Sequence, residues 1–232
     1  MIKSFLILIN FSIFLYSSQQ IVFVVADDFN TSKAKLECLE DGKVVIKSIN
    51  VNIGKKGLGW GLGQIGINRN YLDATKVEGD KKAPIGVFKL SSIFGYSKSD
   101  NFNMPYIHSS EKLICVDDSH SKDYNKIIPM PHNKPKSFEY MKRNDLQYEL
   151  GIVVDHNPEA KYRRGSCIFI HVEKSKDSGT AGCTSMRLEQ LKKIATWLDA
   201  KKNPILIQIP KSFSQKILEL YPELKKSSLL KD

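Results

Sequence analysis

The sequence predicts a mainly β single domain with its one clear helix late in the chain. Short segments of alternating apolar and polar residues recur between turn signals over most of its length. An Asp-Gly dipeptide, Asp41-Gly42, joins two of them. Helical spacing of apolar residues becomes clear only after residue 186. At 232 residues the chain is long enough for one sizeable core and marginal for two.

The N-terminus reads as a leader. Lys3 is followed by the apolar run FLILINFSIFLY, residues 5–16. Val24 and Ala26 then precede Asp27 in the small-residue pattern of a signal-peptidase cut. The expectation is a signal peptide over residues 1–26, a domain over 27–232, and export to the periplasm or cell envelope. An uncleaved anchor is the alternative, although the run falls short of the roughly 20 apolar residues of a membrane span.

Residues 34–53 alternate on both sides of Asp41-Gly42 and read as a hairpin. The glycine-rich stretch 54–66 is a loop or an irregular edge. Short strands are predicted at 86–90, 112–118, 148–156 and 166–172. Between them, residues 119–147 form a long polar connection containing Pro129, Pro131 and Pro135. Leu188, Leu191, Ile194 and Leu198 then line one face of a helix, with Thr184 or Ser185 available as its cap. A strand bounded by Pro204 and Pro210 and an amphipathic segment, SFSQKILELYPEL, complete the chain.

The net charge is +10, from 35 Lys and Arg against 25 Asp and Glu, with lysines scattered over the whole length. The clustered arginines and aromatics of a nucleic-acid site are missing. The excess is either a solvated basic surface or an attraction to an anionic wall polymer or membrane surface. Four cysteines in an exported chain allow three disulfide connectivities. If Cys183 is a working thiol, at most one bridge forms among Cys38, Cys115 and Cys167. Cys38–Cys115 and no bridge at all are both open.

The stretch from Ile168 to Met186, IFIHVEKSKDSGTAGCTSM, carries the chemistry. Strand alternation puts Cys167, Phe169 and His171 on one face and Ser166, Ile168, Ile170 and Val172 on the other. Cys183 follows His171 by 183 − 171 = 12 residues, just ahead of the predicted helix. A helix N-terminus and a nearby imidazole both favour thiolate over thiol. Gly182 permits close approach of the backbone, and the N–H groups of Ala181, Gly182 and Cys183 are candidates for an oxyanion hole. A structural histidine and a structural or disulfide cysteine remain the alternative at this point. No second His or Cys stands at zinc-ligand spacing near the pair, so no metal is expected.

The blocks GSCIFIHV and GTAGCTSM together resemble the catalytic signature of the L,D-transpeptidase (YkuD-type) family. EGDKKAPIGVFKL (residues 78–90), CVDDSHSKDYN (115–125) and YELGIVVDHN (148–157) resemble further blocks of the family's exported branch with a Thr-Ala-Gly-Cys motif. The likeness covers about residues 34–209. It implies a β-sandwich-like fold with a helix after the catalytic cysteine and a C-terminal helix. It also implies an enzyme of cell-wall biogenesis and cell shape that acts on peptidoglycan stem peptides without a cofactor. In such enzymes the cysteine attacks the carbonyl of the third stem residue, expels D-alanine, and passes the acyl group to an amine, forming a 3→3 cross-link, or to water.

Carried over, Cys183 is the nucleophile, His171 the base, and the Val172 carbonyl the group that orients the imidazole. The resemblance also implies that carbapenems acylate the thiol. The chain departs from the commoner pattern at three places: Ala181 where His precedes the glycine, Ser185 where Arg follows the cysteine, and Ala83 where Thr precedes the Pro-x-Gly. Arg187 is the nearest arginine to the missing one. Trp60, Asp118, Tyr124 and Asn125 are candidates to line the substrate cleft, while Tyr148 and Asn157 read as framework and Cys167 as core filling. A monomer is expected, with stem peptides and cell-envelope proteins as partners. Hydrolysis at the same site, as an L,D-carboxypeptidase, and a non-catalytic wall-binding module are the competing functions.

Overall fold

The computed structural model describes residues 18–64 and 74–231. Among these residues thirteen strands follow in chain order: β1 (Gln20–Ala26), β2 (Lys33–Glu40), β3 (Lys43–Asn52), β4 (Leu58–Trp60), β5 (Ala83–Gly95), β6 (Tyr106–His108), β7 (Leu113–Cys115), β8 (Ile127–Pro129), β9 (Glu139–Tyr140), β10 (Leu150–Val154), β11 (Phe169–Val172), β12 (Thr184–Met186) and β13 (Ile205–Pro210). Among the described residues two α-helices, α1 (Leu188–Trp197) and α2 (Ser214–Leu220), come late, as the periodicity requires. No described helix is long and apolar enough to cross a membrane.

The predicted hairpin is β2–β3. Asp41 (φ 49°) and Gly42 (φ 71°) both take positive φ, the requirement of a two-residue type I′ turn. The strand expected at 86–90 is the middle of the much longer β5, whose first half pairs with β13 and whose second half pairs with β10. This strand therefore passes from one layer of a sandwich to the other. One layer runs β3-β2-β1-β13-β5 and the other β12-β11-β10-β5, with a single Ser185–Asn52 bridge joining them at the far side. The glycine-rich stretch contributes β4, a short parallel edge on β5.

The main core lies between the layers and takes Leu191, Ile194 and Ala195 from α1. A second apolar cluster (Phe94, Cys115, Met141, Tyr148, Cys167, Phe169 and Cys183) occupies the opposite face of β10 and β11. The small sheet β8-β7-β9 contributes Cys115 to this cluster, and residues of the long connection supply Met141.

Two sequence expectations change here. Residues 20–26, expected as the last part of a signal peptide over 1–26, form a buried strand of the domain. β1 lies between β2 and β13, all seven of its residues are buried, and Gln20 is hydrogen-bonded to Glu40, the Trp197 carbonyl and the Asp199 N–H. Its five large apolar side chains, Ile21 to Val25, each contribute roughly 1.5–3 kcal/mol by burial. A cut after Ala26 would remove the strand between β2 and β13. The apolar run 5–16 lies outside the described residues.

The second change concerns the cysteines. Cys115 is bridged to Cys167, while Cys38 and Cys183 are free and buried. Cys167 is thus half of a disulfide and not simple core filling, and the Cys38–Cys115 pairing does not occur. Cys38 points into the main core from β2, away from both partners.

Candidate active site

β11 is held between β10, antiparallel with Gly151 opposite His171, and β12, parallel with Ser185 opposite His171. Alternation along β11 sends Ile170 into the main core and Phe169 into the second cluster, as the sequence predicts. Gly151 leaves room on β10 for the tip of the Phe94 ring, since a Cβ there would stand 2.1 Å from Cζ. Phe94, Phe169 and Tyr148 pack edge to face at 5.0–5.6 Å, and Tyr148 meets the His171 ring in the same way at 5.3 Å.

The imidazole is buried, and its Nδ1 lies 2.8 Å from the Val172 carbonyl. A carbonyl only accepts, so Nδ1 carries the proton and Nε2 keeps its lone pair. Burial disfavours the imidazolium and lowers the His171 pKa to about 4, against the opposing pull of the Val172 carbonyl. Near neutrality the ring is a neutral base protonated on Nδ1, with the Gln147 backbone as a second hydrogen-bonding neighbour.

Cys183 immediately precedes β12. Its Sγ accepts from the Phe169 N–H at 3.3 Å and donates to the Cys167 carbonyl at 3.5 Å. Burial and the Glu139 carboxylate push the thiol up to about 12, while the Phe169 N–H, Lys76 and Arg143 pull it down. The resting pair is therefore thiol and imidazole, not thiolate and imidazolium. The expected helix contribution is missing for a structural reason. Thr184–Met186 is a strand, and α1 starts only at Leu188 after an Arg187 cap position that makes no side-chain cap bond. Thr184 caps nothing; its hydroxyl donates to Gln208 Oε1 at 2.7 Å, and Gln208 in turn donates to the Pro84 carbonyl.

The Gly182 N–H is already engaged, donating to Thr180 Oγ1 at 3.1 Å, while the Thr180 hydroxyl donates to the Cys183 carbonyl at 2.6 Å. Ala181 is exposed on the same turn. Thr180 is a residue that motif reading passed over, though its hydroxyl, three positions before the nucleophile, is a familiar turn-closing signal.

The remaining predicted residues divide clearly. Trp60 is buried in the main core against Phe213 (4.9 Å). Arg187 sits at the surface, 3.9 Å from Glu173. Ser185 is itself buried, and its Oγ has no partner among the described residues. Asp118 closes a turn, accepting from the backbone N–H groups of His120 and Lys136. Tyr124 is buried and donates to Glu78, which also accepts from Ser166 Oγ at 2.7 Å. Asn125, at φ 64°, accepts from the Cys167 N–H and donates to the carbonyls of His156 and Asn157. Tyr124 and Asn125 thus hold the segment that leads into β11.

Sequence reading left Tyr148 as framework, but the structure puts it against the imidazole. Its hydroxyl donates to Glu139 and its ring lies beneath the Arg143 guanidinium at 5.0 Å. The only clue in the sequence was an aromatic at the start of a predicted strand.

The profile of the L,D-transpeptidase catalytic domain (YkuD) matches residues 23–207, most of the chain. This chain belongs to the YkuD family. Its match begins inside β1, in agreement with the structural place of that strand. No curated protein and no solved structure matches the chain. Membership makes it a cysteine-dependent, L,D-transpeptidase-type domain with a role related to peptidoglycan.

Proposed function

We propose that this YkuD domain is an exported peptidoglycan L,D-transpeptidase working through Cys183 and His171. The observation that carries the reading is the tautomer of His171: the Val172 carbonyl holds the proton on Nδ1 and leaves Nε2 to act as base. As Sγ attacks the carbonyl carbon of the third stem residue, its proton passes to Nε2. The tetrahedral intermediate collapses to a thioester, and Nε2 gives the proton to the departing D-alanine amine. A side-chain amine of a second stem then attacks the thioester, losing its proton to Nε2. The thiol is released and a 3→3 cross-link is left. Burial of both groups disfavours charge in the resting enzyme, so the proton moves only when the substrate is in place to take up the electron pair. For the backbone to offer the Gly182 N–H to the oxyanion, the Thr180 hydroxyl must give it up.

Export is supported by the apolar run 5–16 and by the Cys115–Cys167 bridge, which an oxidising compartment favours. Any cleavage consistent with an intact β1 falls ahead of Gln20.

The test is incubation of tetrapeptide muropeptides with the folded protein, alongside intact mass after exposure to a carbapenem. Cross-linked dimers, with a covalent adduct absent from Cys183→Ala, are the expected result. Tripeptide without dimer at any acceptor concentration makes the enzyme a carboxypeptidase. No adduct, with equal binding of sacculi by Cys183→Ala, makes it a wall-binding module.

A further inference from the structure

We propose that Lys76 is a positioning residue for the nucleophile: its buried ammonium, held against the Gly182 backbone, supplies the positive charge that the Cys183 thiolate needs as it forms. The inference rests on the reading of Cys183 as nucleophile. Lys76 is only 2 % exposed. Its Nζ donates to Asp80 Oδ1 at 2.6 Å and to the Val77 carbonyl at 3.1 Å, which uses two of its three N–H donors. A Cβ placed on Gly182 would lie 3.5 Å from that Nζ. The stem of Lys76 passes Gly165, where a Cβ would stand 3.1 Å from Cε. The lysine therefore lies between the two backbone stretches that hold the thiol, Gly165–Cys167 and Gly182–Cys183.

A buried ammonium is costly unless paired, and Asp80 pairs it. Asp80 is itself fixed by the Val77 and Lys82 N–H groups. His156 and the Arg164 guanidinium, which donates to the Lys76 carbonyl, also lie beside Lys76. Around Cys183 the opposing charge is Glu139, and the helping ones are Lys76 and Arg143; Tyr148 and His171 are uncharged near neutrality. With no helix N-terminus at the thiol, a cation behind Gly182 takes over the electrostatic task that the sequence pattern assigned to α1.

A purely structural ion pair and an electrostatic one differ in sign. The full chain carrying Lys76→Met, Lys76→Arg or Asp80→Asn is alkylated with iodoacetamide across a pH series, with Cys183 followed by peptide-resolved mass. Lys76→Met is expected to move the profile to higher pH, slowing alkylation about tenfold at a fixed pH below its midpoint, one pKa unit of lost stabilisation. Lys76→Arg keeps the wild-type profile, and Asp80→Asn, which unmasks the ammonium, moves it to lower pH. Shifts of the same direction in Lys76→Met and Asp80→Asn, or no shift in either, overturn the proposal. Should Lys76→Met fail to fold, an unmoved or alkaline-shifted profile in folded Asp80→Asn overturns it alone. Wild-type protein that resists carbapenem would count against the transpeptidase reading itself, whereas acylated wild type with unmoved variants counts only against Lys76.

Discussion

Phe169 and Cys183, fourteen residues apart (183 − 169), meet where the Phe169 N–H donates to Sγ at 3.3 Å. The donor belongs to the strand that carries His171, so a single element both supports the sulfur and places the base. The parallel pairing of β11 with β12 makes this possible, because it sets Thr184 beside Ile170 and brings the preceding cysteine level with Phe169. The loop between the two strands is pinned as well: Thr180 N–H donates to the Ile53 carbonyl, and Lys55 N–H donates to the Thr180 carbonyl.

Replacement of His171 by Gln keeps a polar group of similar size but removes the base. General acid–base help of this kind is worth roughly 10²–10⁴-fold, and the acylation rate with carbapenem should fall by that order while the protein stays folded. Stopped-flow acylation checks it. A loss of less than about threefold would mean that another group takes the proton.

The pH dependence follows from the two shifted groups. His171 is depressed to about 4, so the base stays neutral down to that region and acylation should fall on the acid side near pH 4, well below 6.5. Stability responds over a different window. Between pH 6.5 and about 4 the unfolded chain binds protons that buried His171 and His156 do not, so stability falls as pH drops through this range and levels off below it. Each histidine accounts for about 3 kcal/mol at the low end. Urea titrations at pH 7 and pH 4.5 measure the loss, and a histidine-to-glutamine variant at position 156 should show a smaller one if it folds.

The disulfide closes a 52-residue separation and ties β7 to the residue whose carbonyl touches the thiol of Cys183. Reduction should cost about 2–4 kcal/mol and lower the Tm. Because the Cys167 carbonyl loses part of its anchoring, carbapenem acylation should slow under reductant even where the protein remains folded, although the Asn125 bond to the Cys167 N–H still holds that residue. A thermal melt and an acylation time course, each with and without dithiothreitol, read both effects. Unchanged acylation in reduced, folded protein would limit the bridge to stability.

Much of this was legible in the sequence, and the failures share a cause. Alternation gave the hairpin, the two faces of β11 and the order of strands, because those patterns are local. The pairing of Cys115 with Cys167 was not legible, since connectivity depends on which strands become neighbours. The same holds for Tyr148, which reaches His171 only because β10 pairs with β11. Small residues at Val24 and Ala26 fit a cleavage site and equally a strand buried on both sides, and a local pattern alone does not separate the two readings. Thr184 and Ser185 looked like helix caps because the three-residue strand between Cys183 and α1 is too short to show a period.

The place of β1 gives the last prediction. A chain beginning at Asp27 lacks the strand that pairs in parallel with β13 and antiparallel with β2, and it leaves Gln208 and Leu36 facing an open sheet centre. The lost burial of Ile21, Val22, Phe23, Val24 and Val25, at roughly 1.5–3 kcal/mol each, is comparable with the whole stability of a domain, about 5–15 kcal/mol. That chain should therefore be insoluble or unfolded by circular dichroism, whereas one beginning at Ser18 should fold and react with carbapenem. The same reasoning fixes what N-terminal sequencing of the folded native protein should return: a first residue at or before Gln20. A mature chain starting at Asp27 and still folded would show that the sheet closes without β1, with β2 and β13 meeting directly.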